Sequence, residues 1–144
     1  MLKKVLVAVI AIIAGYYAYE QAPPNAGKSH ESAIASARLD SAIVERRTDY
    51  QVGGRGTVIR LLPDDNDGSR HQRFILELES GRTLLVAHNI DVAPRIDGLR
   101  TGELVSFFGE YEWNDRGGVI HWTHHDPRSQ HIGGWIEYHG KRYQ

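Results

Sequence analysis

The sequence predicts an all-β domain, a small barrel of five strands, on the basis of three observations. From Tyr50 onward, apolar residues recur with the two-residue period of β-strands. The apolar runs are short, and turn residues separate them about every 8–12 positions. The first run is long and follows three closely spaced glycines, and an irregular connection at 89–100 precedes the fourth run. This order favours an OB-like barrel, with a β-sandwich as the alternative.

Each predicted strand is a run of β-branched, aromatic and other apolar residues that ends at a turn signal. Ser80 and Gly81 form a compact turn between two such runs, which predicts a hairpin. In the run before it, Phe74, Leu76 and Leu78 lie on one face, as expected for a strand with one side in the core. The predicted strands cover 55–62, 73–79, 82–88, 103–113 and 118–124, and a last hairpin turns at His139-Gly140.

The first 20 residues have the features of an export signal. Lys3 and Lys4 precede an uncharged apolar run, 5–19, which is typical of a secretory signal. No small-x-small cleavage pattern follows, so the sequence favours an uncleaved signal anchor, held in the membrane by residues 2–19, over a cleaved signal peptide. Both alternatives leave the lysines in the cytoplasm and export the rest of the chain. The predicted location is the periplasm, either free or anchored to the inner membrane.

Residues 21–50 are predicted to be a linker that contains a helix. Two prolines, a glycine and small polar residues mark 21–29 as irregular, and the segment 30–47 has helical character with Ser29 as its N-cap. Its apolar stripe is weak, which fits either a spacer or a helix that packs on the barrel. The predicted organisation is therefore a signal segment at 1–20, a linker at 21–50 and the barrel at 51–144.

Composition excludes several kinds of chemistry. The chain has no cysteine, which excludes disulfides, CxxC redox motifs and thiolate zinc sites. The net charge is −1, without the basic excess that phosphate recognition requires, so nucleic acid is disfavoured as a partner. A metal site would have to be built from histidine and carboxylate side chains.

Histidines are the main candidates for a binding site. Four of the eight fall within residues 121–131, others begin the second predicted strand and end the third, and strand ends can converge in a barrel. If the fifth strand continues to residue 124, its side chains alternate between two faces. His121 then lies on the opposite face from Trp122 and His124. The predicted site residues, for an unknown ligand, are His71, His88, Asn89, His121, Trp122 and Asp126. The predicted ligands for zinc or another divalent transition metal are His71, His88, His121, His124 and His125.

These residues are compatible with three functions. The leading hypothesis is a binding module with a histidine-rich site. The second is a metal-dependent hydrolase or nuclease that uses His121, His124 or His125 together with Asp126. The third is a structural protein of the cell envelope. No G-x-S-x-G motif is present, and no nucleophile and base can be paired, so catalytic residues stay unassigned and a binding module is favoured over an enzyme.

Several strings resemble a family of short bacterial proteins. "HNID", "GEYEWN" and "GGVIHWTHHDP" are similar to motifs of the domain-of-unknown-function family 3465, over about Gly53 to Gln144. The resemblance implies no established activity, and it leaves the first 50 residues outside the family. It places the following residues within the family's motif segments: His71, His88, Asn89, His121, Trp122, His124, His125 and Asp126.

Overall fold

The computed structural model describes Ile10, Ile12, Ile13 and residues 26–144. The three isoleucines are helical and exposed, and the rest of the predicted signal segment lies outside the described residues. No helix among the described residues is both long enough and apolar enough to span a membrane. Residues 32–144 form one compact unit.

Within residues 26–144 the chain forms one helix and seven strands. Each predicted strand is present, but the boundaries differ: the first begins earlier than predicted, and the fifth is much shorter. The helix begins before Ser29, so the predicted N-cap lies inside it. The elements are α1 (Ala26–Val44), β1 (Tyr50–Leu61), β2 (His71–Leu78), β3 (Thr83–Asn89), β4 (Leu104–Glu112), β5 (Val119–His121), β6 (Trp135–Tyr138) and β7 (Lys141–Tyr143).

Five of the strands close into a barrel. Their order is β1-β2-β3-β5-β4, and β1 pairs with β4 to complete the circle. The pairing of β3 with β5 is parallel, while the other barrel pairings are antiparallel. This topology confirms the predicted five-stranded barrel. The hairpin of β6 and β7 extends from β4, and it turns at His139 and Gly140, where φ is 51° and 74°, as a two-residue type I′ turn requires.

Strand β1 pairs with two neighbours because it is long and rich in glycine. Gly56 faces Leu78 of β2 on one side and Val105 of β4 on the other. A Cβ atom at this position would lie 2.7 Å from the carbonyl oxygen of Glu77. The missing side chain therefore lets β2 approach closely enough to close the barrel.

The core is formed by the inward-facing residues of each strand and by one face of α1. Phe74, Leu76 and Leu78 are buried, which confirms the predicted inner face of β2. Leu39, Ala42 and Ile43 of α1 are also buried, and all three belong to the same core cluster. The helix thus packs on the barrel rather than acting as a spacer, and burial of one Leu or Ile side chain contributes about 1.5–3 kcal/mol.

The topology brings three strand ends together. His71 at the start of β2 pairs with Asn89 at the end of β3, because these strands are antiparallel. Strands β3 and β5 are parallel, so their carboxyl ends lie at the same edge of the barrel. Residues that follow His121 in the chain therefore start from the edge at which His71 and Asn89 lie.

Candidate functional site

A cleft of about 220 Å³ lies where the ends of β2, β3 and β5 meet. All its lining residues belong to the predicted site or metal-ligand sets, although they come from three separate parts of the sequence. The cleft is lined by His71, Asn89, His121, Trp122 and His124. Three imidazoles, an amide and an indole thus surround one small volume.

His121 and His124 line the same cleft because β5 is short. The strand ends at His121, and Trp122 adopts a left-handed backbone with φ of 51°. The alternation that would have placed the two histidines on opposite faces therefore stops before His124. The indole of Trp122 stacks on the ring of His131, with centroids 4.0 Å apart and planes 11° apart.

The rings of His71 and His124 are oriented by backbone carbonyls. Nδ1 of His71 lies 2.8 Å from the carbonyl oxygen of Ser69, and Nδ1 of His124 lies 2.7 Å from that of His125. A carbonyl only accepts hydrogen bonds, so Nδ1–H is the donor in both rings. In the neutral ring, Nε2 then carries the free lone pair. Metal-binding histidines are commonly held by a carbonyl in this way.

His88 lies in the barrel interior, not on the cleft. It is fully buried, and both ring nitrogens have partners. Nε2–H donates to the carbonyl oxygen of Pro94 at 3.1 Å, so Nδ1 accepts from the Thr123 hydroxyl at 2.8 Å. Burial lowers the pKa of His88 to about 4. This neutral histidine joins β3 to Thr123 in the segment after β5 and to Pro94 in the connection after β3.

Asp126 and His125 also lie away from the cleft. The Asp126 carboxylate accepts N–H groups from Arg128 at 2.9 Å, Gln130 at 2.6 Å and His131 at 2.9 Å. These bonds lower the pKa of Asp126 and shape the loop that carries His131. The side chain of His125 is exposed to solvent. The set proposed for a hydrolase, His121, His124 or His125 with Asp126, is therefore not assembled at one place.

Glu110, which the sequence patterns did not indicate, lies at the centre of a charged cluster. Its Oε1 is 3.3 Å from Nε2 of His121, and its Oε2 is 2.7 Å from Nε2 of His131. Burial opposes the protonation of His131. The hydrogen bonds to Glu110 and the Ile132 carbonyl, together with the charges of Glu110 and Asp126, nevertheless raise its pKa. His131 and Glu110 therefore form an ion pair at the rim of the cleft.

Glu112 lies two residues along β4, on the same outer face as Glu110. Its carboxylate accepts the Thr48 hydroxyl and the Asp49 N–H, and the first of these bonds is the main cause of its lowered pKa. One ligand atom each from Glu110, Glu112 and His121 lies within 4.8 Å of the others, an arrangement that can hold a metal ion. Burial lowers the pKa of His121 despite these carboxylates, which favours the neutral, ligating form of the ring.

Comparison with known proteins gives a family but no function. No curated protein matches the chain. The model of the family DUF3465, described as "Protein of unknown function", matches residues 26–144. The match includes α1, so the prediction that the first 50 residues lie outside the family was wrong for residues 26–50, and the packing of α1 on the core gives the physical reason. The chain therefore belongs to the family DUF3465.

Proposed function

We propose that this protein is a binding module whose cleft takes a divalent transition-metal ion such as zinc. The observation that carries the proposal is the meeting of His71, His121 and His124 at one cleft, because imidazole is a common ligand of zinc and copper. Two of the three rings are held by backbone carbonyls that leave Nε2 free. Three protein ligands with one open position suit a tetrahedral zinc ion.

The surroundings favour binding rather than catalysis. Asn89 and Trp122 complete the lining, and the Asp126 carboxylate is occupied by backbone N–H groups. A general base for hydrolysis must reach the proton that it abstracts, and Asp126 does not line the cleft. The cleft thus provides metal ligands without the second group that the hydrolase hypothesis requires.

Zinc should bind to the full chain and raise its thermal stability. At a free concentration 100 times the dissociation constant, binding to the folded state alone adds about 2.7 kcal/mol. Calorimetric titration with Zn²⁺, and unfolding curves with and without the ion, measure both effects. If the three imidazoles are the ligands, His71→Ala and His124→Ala should each weaken binding by at least about 10-fold.

His139→Ala is the matched control, because His139 is an exposed histidine at the turn between β6 and β7. It should bind zinc like the unchanged protein. Absence of bound metal, with no stabilisation by zinc or copper, would remove the proposal. Equal affinity in the His71→Ala, His124→Ala and His139→Ala variants would place the metal elsewhere.

We also propose that the barrel works outside the inner membrane. Lys3, Lys4 and the apolar run at 5–19 support export. Alkaline phosphatase fused after Gln144 should be active in bacterial cells, since this enzyme requires the oxidising periplasm to form its disulfides. Deletion of residues 5–19 should abolish that activity while the fusion is still made. An active enzyme after the deletion, or an inactive one before it, would contradict export.

A further inference from the structure

We infer that the metal ion is held by His121 together with Glu110 and Glu112, as a mixed imidazole–carboxylate centre on the outer face of β4 and β5. The inference rests on the proposed function in one respect, that a divalent transition-metal ion binds beside this cleft, and it assigns two of the three ligand positions to glutamates in place of His71 and His124. Nitrogen and oxygen donors together suit zinc or manganese(II), whereas copper(I) prefers sulfur ligands.

Strand register brings the three groups together. Glu110 pairs with His121, and Glu112 pairs with Val119, across the antiparallel pairing of β4 and β5. The intervening Tyr111 is buried, so both glutamates point to the outer face. Two atoms bound to one zinc ion at about 2.0–2.2 Å can lie up to about 4.4 Å apart. The three ligand atoms are within 4.8 Å of one another, so small side-chain movements are sufficient.

Two buried polar atoms beside Glu110 have no hydrogen-bond partner. They are Nε2 of Gln51 and Nε2 of His121. Both residues are directly opposite Glu110, Gln51 on β1 and His121 on β5. His121 Nε2 is near Glu110 Oε1 but lacks hydrogen-bond geometry.

Buried polar atoms in folded proteins are nearly always paired, so these two require an explanation. A cation between His121 and Glu110 would supply the missing partner of the histidine. The Gln51 side chain can turn its amide oxygen toward the same ion, since rotation of the amide by half a turn exchanges oxygen and nitrogen.

Both carboxylates accept hydrogen bonds from neighbouring residues, as carboxylates that bind metal ions usually do. Glu112 accepts bonds from Thr48 and Asp49, and Glu110 accepts one from His131. Hydrogen bonds of this kind orient ligating carboxylates. Two glutamates two residues apart also repel each other, and the His131 ion pair offsets only one of the two charges. A divalent cation would relieve this repulsion.

The cleft forms the open side of this centre. His121 belongs to both groups, because it lines the cleft with His71 and His124 and lies against Glu110. A fourth donor can therefore approach the ion from the cleft. In this arrangement His71 and His124 are neighbours of the metal, while Glu110, Glu112 and His121 bind it directly.

Metal titration of matched variants tests the inference. We expect Glu112→Gln to lower the affinity of the full chain for Zn²⁺ and Mn²⁺ by at least about 10-fold, with an unchanged circular dichroism spectrum. Glu137→Gln is the control, because Glu137 is a half-buried glutamate on β6 that pairs with Arg142. If Glu112→Gln fails to fold, the visible spectrum of Co²⁺ bound to the unchanged protein reports whether oxygen donors are present.

The results separate the inference from the proposed function. The inference would be overturned if the affinity of Glu112→Gln were unchanged, or if the Co²⁺ spectrum showed nitrogen donors alone. Weaker binding in His71→Ala would then leave the imidazole cleft as the metal site. Weaker binding in Glu112→Gln, with normal binding in His71→Ala and His124→Ala, would support the inference and remove the all-imidazole site. No binding of Zn²⁺ or Mn²⁺ to the unchanged protein would overturn both.

Discussion

Replacement of Gly109 by alanine is expected to destabilise the barrel by about 3 kcal/mol, the upper part of the usual range for overpacking. A Cβ atom at Gly109 would lie 2.4 Å from the carbonyl oxygen of His121 and 2.9 Å from Cγ2 of Thr123. The first contact is with backbone, so no side-chain rotation can relieve it. Strands β4 and β5 would have to separate at the point where Glu110 faces His121.

Urea denaturation of Gly109→Ala measures this cost. Gly98→Ala is the matched control, because its new Cβ atom would meet only Tyr138 Cε1, at 4.0 Å, and its φ is outside the left-handed region. The control should change the free energy of unfolding by less than about 0.5 kcal/mol. Equal stability of the two variants would show that β5 does not lie against Gly109 as described.

Acidification from pH 7 to pH 4 should remove about 3 kcal/mol of folding stability through His88. The pKa of His88 is lowered from 6.5 to about 4 in the folded protein, mainly because the ring is buried. Between these two values the unfolded chain binds a proton that the folded chain does not, so the free energy of unfolding falls as the pH falls. Each pKa unit corresponds to about 1.4 kcal/mol.

Two other histidines also contribute to the dependence of folding stability on pH, and the direction of each contribution follows from its pKa shift. The pKa of His121 is lowered by burial, so its contribution has the same sign as that of His88. The pKa of His131 is raised despite its burial, chiefly through Glu110. The stabilisation from His131 is therefore complete below pH 6.5 and is lost as the pH rises through its folded pKa. The loss of stability on acidification therefore comes from His88 and His121 and, at lower pH, also from carboxylates with a lowered pKa such as Asp126 and Glu112.

Nuclear magnetic resonance separates the individual rings, and urea denaturation at pH 7 and pH 4 gives the total change in folding stability. The ring protons of His88 should titrate near pH 4. A His88 signal that titrates near pH 6.5 would contradict the buried, neutral ring. It would also contradict the hydrogen bonds that join His88 to Thr123 and Pro94.

The strands could be predicted because their signals are local. Alternation within β2 places Phe74, Leu76 and Leu78 inside, and the turn at Ser80 and Gly81 separates β2 from β3. The early end of β5 could not be predicted, because Trp122 leaves the strand under tertiary constraints. A Cβ atom on Gly134 would lie 2.1 Å from the Trp122 carbonyl oxygen, which shows how closely the following loop packs there.

The residues of the candidate site likewise include some that the sequence could indicate and some that it could not. His71, Asn89, His121, Trp122 and His124 could be proposed from composition and from strand ends, and they do line one cleft. His88 could not be distinguished from them, since its position at a strand end does not reveal which face it occupies in the closed barrel. Glu110 and Glu112 resembled ordinary outward-facing strand residues until the register of β4 against β5 was known.

The amino-acid sequence by itself determined the strand content, the inner face of β2 and the absence of cysteine chemistry, and it indicated three histidines that line the cleft. These properties depend on neighbouring residues in the chain. Tertiary structure alone decided that β1 closes on β4, that His88 is buried and that Glu110 lies beside His121. Each of these depends on pairing between residues far apart in the chain, which is set by barrel closure and packing rather than by local pattern.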